Sequence, residues 1–115
     1  MKHIALRPEV VRVMGREYVI TWETPQNLAV MQAGLTNHLS LTITVVEGQH
    51  PVEEMDTLIH EIFHAVWFQM SIQEHAPEEE VIVRKMAGGF TQILIDNPHL
   101  LKYFTAIKNP LRKSK

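Results

Sequence analysis

His60-Glu61-Ile62-Phe63-His64 reads H-E-x-x-H and lies inside a run, Thr57 to Met70, with strong helical periodicity. No other feature constrains the chain as much. On a helix, residues four apart share a face, so His60 and His64 can grip one metal ion while Glu61 reaches a bound water. Two imidazoles and a carboxylate in that pattern point to zinc-assisted hydrolysis. The fold must then supply a helix of several turns whose histidines stay at the edge of the core.

The surrounding residues predict such a helix over about 51–70. Pro51 suits its first turn, and Glu53, Glu54 and Asp56 favour its positive end. Met55, Leu58, Ile59, Ile62, Phe63, Val66 and Met70 form an apolar stripe. A turn of about 100° per residue sets His60 and His64 beside that stripe, with Thr57, Trp67 and Phe68 on the histidine face.

Two imidazoles are an incomplete catalytic zinc site, which takes three protein ligands and leaves a position for water. The chain has no cysteine, so a third ligand must be histidine or carboxylate. Glu78-Glu79-Glu80 open a second helix, expected over about 77–96. Glu79 precedes Ile82, Val83 and Met86 by three, four and seven residues and so shares the buried face; it is the preferred third ligand. Glu80 follows closely, and His75 in the connecting loop is a rival. Acids in a first helical turn also complement the helix dipole with no metal present. No His-x-x-Gly-x-x-His continuation follows His64, which argues against a metzincin arrangement. Glu61 is the general base. For the oxyanion-stabilising group the sequence offers only Tyr103, Tyr18 and His99; His3, His38, His50 and His99 read as surface or turn histidines.

Before the histidines the chain reads as extended. Val10 to Val13 and Tyr18 to Trp22, with Gly15 between, predict a hairpin or two short strands. Thr24-Pro25-Gln26-Asn27 is a turn signal, Leu28 to Met31 a short strand, and Gly34 to Leu39 a polar turn. Leu39 to Val46 alternates as a half-buried strand, with Leu39, Leu41, Ile43 and Val45 on one face and an edge for an extended peptide. In the second helix, mid-helix Gly88-Gly89 calls for close approach by the first. Asp96-Asn97-Pro98 ends it and starts a third, with Asn97 as cap and Leu100, Leu101, Phe104 and Ile107 as its apolar side.

At 115 residues, 45% apolar and 21% charged, the chain suits a single domain over 1–108 with a basic, disordered tail at 109–115. The net charge of -2 gives no general pull toward nucleic acid, leaving only weak contact by the tail. Residues 47–80 hold nine acids and no Lys or Arg. The N-terminus lacks a signal-peptide apolar region and no run reaches membrane-span length, so a cytoplasmic setting without membrane contact is expected.

Asp56-Thr57-Leu58-Ile59-His60-Glu61-Ile62-Phe63-His64-Ala65-Val66-Trp67, then Glu79-Glu80-x-Ile82-Val83 and Asp96-Asn97-Pro98, resembles small phage and prophage proteins that look like minimal zincins, related in pattern to the ImmA/IrrE and SprT-like metallopeptidases. The similarity covers roughly residues 39–104, strongest at D-T-L-x-H-E-x-x-H-A. It implies an α+β fold: a small N-terminal antiparallel sheet packed on the H-E-x-x-H helix, then a second long helix and a short C-terminal one. It also implies zinc held by His60, His64 and a glutamate opening the second helix, Glu61 as base, and a peptide or protein substrate. The alternative is a catalytically silent zincin-fold module binding an assembly or host factor.

Overall fold

The computed structural model describes residues 2–25, 33–75 and 78–107. A helical turn, α1 (Lys2–Ala5), leads into β1 (Val10–Val13) and β2 (Arg16–Glu23). β3 (Gly34–Asn37) and β4 (Thr42–Val46) follow. Three helices complete the described residues: α2 (Pro51–Gln69), α3 (Glu79–Asp96) and α4 (Pro98–Ala106), with a 3-10 turn at Ile72–His75 after α2. The class is α+β, with one four-stranded sheet and a helical layer.

β1 and β2 form the expected hairpin, with Val13 opposite Arg16. Only Met14 and Gly15 connect them, at φ 50° and 84°. Two consecutive positive φ values make the tight turn whose twist matches the strands.

The sheet departs from the expected antiparallel pattern. Its order is β1-β2-β4-β3, and β2 pairs with β4 in parallel, Ile20 beside Ile43. The chain passes from β2 to the far edge, lays down β3, then turns back and inserts β4 in the middle. Gly34 to Asn37 is therefore an edge strand rather than a turn, and β4 offers no free edge. The alternation over Ile43 and Val45 holds, but Leu41 sits in a left-handed turn at φ 55° and Leu39 is 99% exposed. The expected strand at Leu28 to Met31 and the basic tail at 109–115 lie outside the described residues.

One face of the sheet is apolar. Val11, Val13, Tyr18, Ile20, Ile43 and Val45 are buried there against Leu58, Ile62 and Val66 of α2. Burying each such side chain stabilises the fold by about 1.5–3 kcal/mol. α2 starts as Pro51 predicts, and His50 Nδ1 accepts a hydrogen bond from the Val52 N–H, which caps it. α3 crosses α2 at Gly89, where an added Cβ would stand 2.6 Å from Val66 Cγ1. The close approach expected of the glycine pair belongs to Gly89 alone; Gly88 faces open space.

Two polar groups inside the helical layer do work that helix periodicity does not announce. Glu54, fully buried, accepts from Arg7 Nε at 3.0 Å, Arg7 Nη2 at 2.6 Å and the Tyr103 hydroxyl at 2.7 Å. The hydrogen bond to Glu54 raises the Arg7 pKa, and burial, then Glu54, pushes that of Tyr103 up strongly. Asn97 makes no side-chain cap for α4. Its Oδ1 accepts from the Arg12 N–H, and its Nδ2 lies 3.0 Å from Arg12 O and 2.9 Å from Ile93 O. It pins the α3–α4 corner to β1. On α4 the buried residues are Leu100 and Tyr103, while Leu101 is 55% exposed. Among the described residues, no helix is long and apolar enough to cross a membrane.

Candidate metal centre

The site lies where the edge strand β3 meets the exposed side of α2. Gly34 makes that meeting possible: a Cβ there would come within 2.8 Å of Thr57 Cγ2, 3.0 Å of Glu61 Cγ and 3.0 Å of Thr44 O. With no side chain at 34, the backbone of β3 settles onto α2 directly beside Glu61.

His60 and His64 project from α2 as the motif requires, and both are exposed. Their Nε2 atoms stand 3.1 Å apart, with the rings edge to face. Two imidazole nitrogens at ordinary zinc distances in a tetrahedral shell are about 3.3 Å apart. The pair is thus already spaced to share one ion. Without an ion, the contact requires one ring to present N–H and the other a lone pair.

Glu61 is placed differently. Its residue is 6% exposed, and its carboxylate is held by β3: the Thr36 hydroxyl lies 2.6 Å from Oε1 and 3.1 Å from the Glu61 carbonyl oxygen. A hydroxyl has one proton, and the short, charge-assisted bond to the carboxylate is the stronger use of it.

His60 and His64 divide two hollows. The polar one, about 330 Å³, is lined by Gly34, Leu35, Thr36 and His38 together with His60, Glu61 and His64. The apolar one, about 440 Å³, is lined by Phe63, Trp67 and Met86 with the same two histidines. Met86 brings α3 to the histidine face, two turns after Glu79.

Among the described residues, no group of three His, Asp or Glu is arranged to hold an ion. The side chains of Glu79, Glu80 and His75 lie outside the described residues, while Glu78 is exposed. The donor set fits zinc in its chemistry, since imidazole nitrogen and carboxylate oxygen are both ordinary zinc donors.

Of the groups considered for oxyanion stabilisation, Tyr103 is committed to Glu54, and His99 Nε2 meets the Val10 carbonyl at 2.9 Å. Neither lines the hollows around His60. Tyr18 is close, but its ring is fully buried. A third histidine lines the polar hollow with His60 and His64: His38, a residue with no helical or strand pattern around it in the sequence. It stacks on Phe68 at 4.2 Å between ring centres and 7° between planes. Burial first, and then the neighbouring His64, lowers its pKa from the usual histidine value. The chain matches no protein-family model, no curated protein and no solved structure.

Proposed function

We propose that the chain is a zinc-dependent peptidase. The single observation that carries this reading is the 3.1 Å spacing of the His60 and His64 Nε2 atoms beside a Glu61 carboxylate pinned by Thr36. His60 and His64 hold the ion, and Glu79 is the proposed third ligand, with Glu80 and His75 as the other choices. A zinc ion so held supplies Lewis acidity, polarising a carbonyl and acidifying water.

The protein's own residues do the rest. Glu61 takes a proton from the attacking water and returns it to the leaving amine. Thr36 fixes which carboxylate oxygen is free to do so. Among the described residues β3 is the last strand of the sheet beside α2, so an extended peptide pairs along its outer edge and passes over the two histidines. Trp67, Phe63 and Met86 receive apolar substrate atoms on the far side of the histidine pair.

Zinc uptake and peptide hydrolysis test the reading together. The wild-type chain is expected to bind one zinc ion, and the His60→Ala/His64→Ala double variant none. Glu61→Gln is expected to keep the metal and lose turnover. Zinc retained by the double variant would remove the site. Zinc binding without hydrolysis of any peptide in a broad library would instead favour a silent binding module.

A further inference from the structure

We propose that His38, from the turn between β3 and β4, is a catalytic residue that presents an Nε2–H donor to the carbonyl oxygen of the substrate. This rests on the peptidase reading above. A hydrogen-bond chain crosses three elements to reach His38. Gln69 Nε2, on α2, donates to the Tyr18 hydroxyl at 3.0 Å. An amide nitrogen can only donate, so the Tyr18 oxygen accepts there. Its own proton is then free for the next contact, His38 Nδ1 at 3.4 Å. Among the described residues that proton has no other acceptor, so we assign Nδ1 as the acceptor, and a neutral imidazole with Nδ1 as acceptor carries its proton on Nε2.

The ring has little freedom to do otherwise. Phe68, on α2, stacks flat against it. The turn that carries it is closed by Asn37 Oδ1, which accepts from the Leu39 and Ser40 N–H groups at 2.9 and 3.1 Å. Tyr18 is wholly buried. The remaining ring nitrogen, Nε2, has no partner among the described residues, and the ring lines the polar hollow together with His60, Glu61 and His64. A fixed donor facing a place where charge develops on a carbonyl oxygen is what acyl hydrolysis needs.

The experiment compares wild type with His38→Ala, His38→Gln and Tyr18→Phe, using zinc alone and inorganic phosphate as a tetrahedral oxyanion probe. Long-range proton–nitrogen spectra of the histidines give the tautomer, with the His38 signals assigned by their absence in His38→Gln. The expected results are a His38 protonated on Nε2 in wild type, and a mixture of tautomers in Tyr18→Phe. Zinc affinity should be unchanged in His38→Ala. Phosphate affinity of the zinc-loaded protein should fall about tenfold in His38→Ala and be partly restored in His38→Gln, whose amide can still donate. Thermal melts of each variant establish that it is folded. A wild-type His38 protonated on Nδ1, phosphate affinity unaltered by His38→Ala, no phosphate binding at all, or a tenfold loss of zinc affinity in His38→Ala would each overturn the proposal. If wild type takes up no zinc, the metal reading itself fails; with zinc bound, these outcomes bear on His38 alone.

Discussion

The Thr36 hydroxyl sits 2.6 Å from Glu61 Oε1, joining the edge of the sheet to the middle of the H-E-x-x-H helix. Unlike His60 and His64, Glu61 is buried, and Thr36 is the group that fixes its rotamer. Thr36→Val keeps the shape and removes the bond. Peptide turnover should fall by about tenfold, within the range spanned by general-base effects. Zinc uptake should be unchanged, because the Thr36 hydroxyl bonds Glu61 rather than His60 or His64. Thr36→Ser should restore most of the loss. Parallel zinc titrations and turnover measurements on the three proteins check this; a Thr36→Val variant with full turnover would show that Glu61 needs no such support.

Three glycines give three different outcomes. Gly34→Ala pushes a Cβ into Thr57, Glu61 and the Thr44 carbonyl, and backbone is among the atoms that must move. It should destabilise by about 1–3 kcal/mol and lift β3 from the site, reducing turnover as well. Gly89→Ala meets Val66 at 2.6 Å and should cost a similar amount, with little effect on zinc uptake. Gly88 is helical and faces open space, so Gly88→Ala should stabilise by about 0.5–1 kcal/mol. Urea titrations rank the three, and the sign for Gly88 is the sensitive part.

What the sequence made legible follows from periodicity. α2 and α3 carry apolar stripes over many turns, and the hairpin carries β-branched runs around a glycine, so their existence could be read directly. β3 could not. It is four residues long, begins with glycine and alternates no apolar residues, so locally it resembles the turn it was expected to be. Its strand character comes from pairing with β4 and from the room that Gly34 leaves beside α2. The parallel β2–β4 pairing was hidden for the same reason, since it exists only because β3 takes the outer position. His38 was illegible as a site residue because its partners, Tyr18, Phe68 and Gln69, are spread over 52 positions of sequence with no shared spacing. The H-E-x-x-H motif needs only one helix, which is why the placement of His60, Glu61 and His64 on α2 was readable while the elements that pack beside them were not.

Glu54 lay on the predicted helix as one more acid near the positive end, yet it is the hub of a buried network. Removing it leaves the Arg7 guanidinium, over Trp22 at 4.9 Å, and the Tyr103 hydroxyl without their main partner. Glu54→Ala should destabilise by about 3–5 kcal/mol. Replacing the whole network, Arg7→Met/Glu54→Leu/Tyr103→Phe, should recover most of that, because no buried polar group is then left unpaired. Chemical denaturation of the single and triple variants decides it; a triple variant as unstable as the single one would mean that the loss is in packing shape rather than in unpaired charge.

Asn97 offers a choice between two physical roles. As the N-cap of α4, it would be replaceable by Asp or Ser at small cost, since both are good caps. In the observed geometry it is a clamp: an acceptor for the Arg12 N–H and a donor toward the carbonyls of Arg12 and Ile93, in a residue 1% exposed. Aspartate cannot donate, so it would place a carboxylate against two buried carbonyl oxygens. Serine is too short to span both elements. Asn97→Asp should therefore destabilise by about 2–3 kcal/mol, no less than Asn97→Ala, through unsatisfied buried backbone groups. Thermal melts at neutral pH distinguish the roles by rank order. A cap gives Asp and Ser close to wild type and Ala lowest, whereas the clamp leaves all three well below wild type with Asp gaining nothing over Ala.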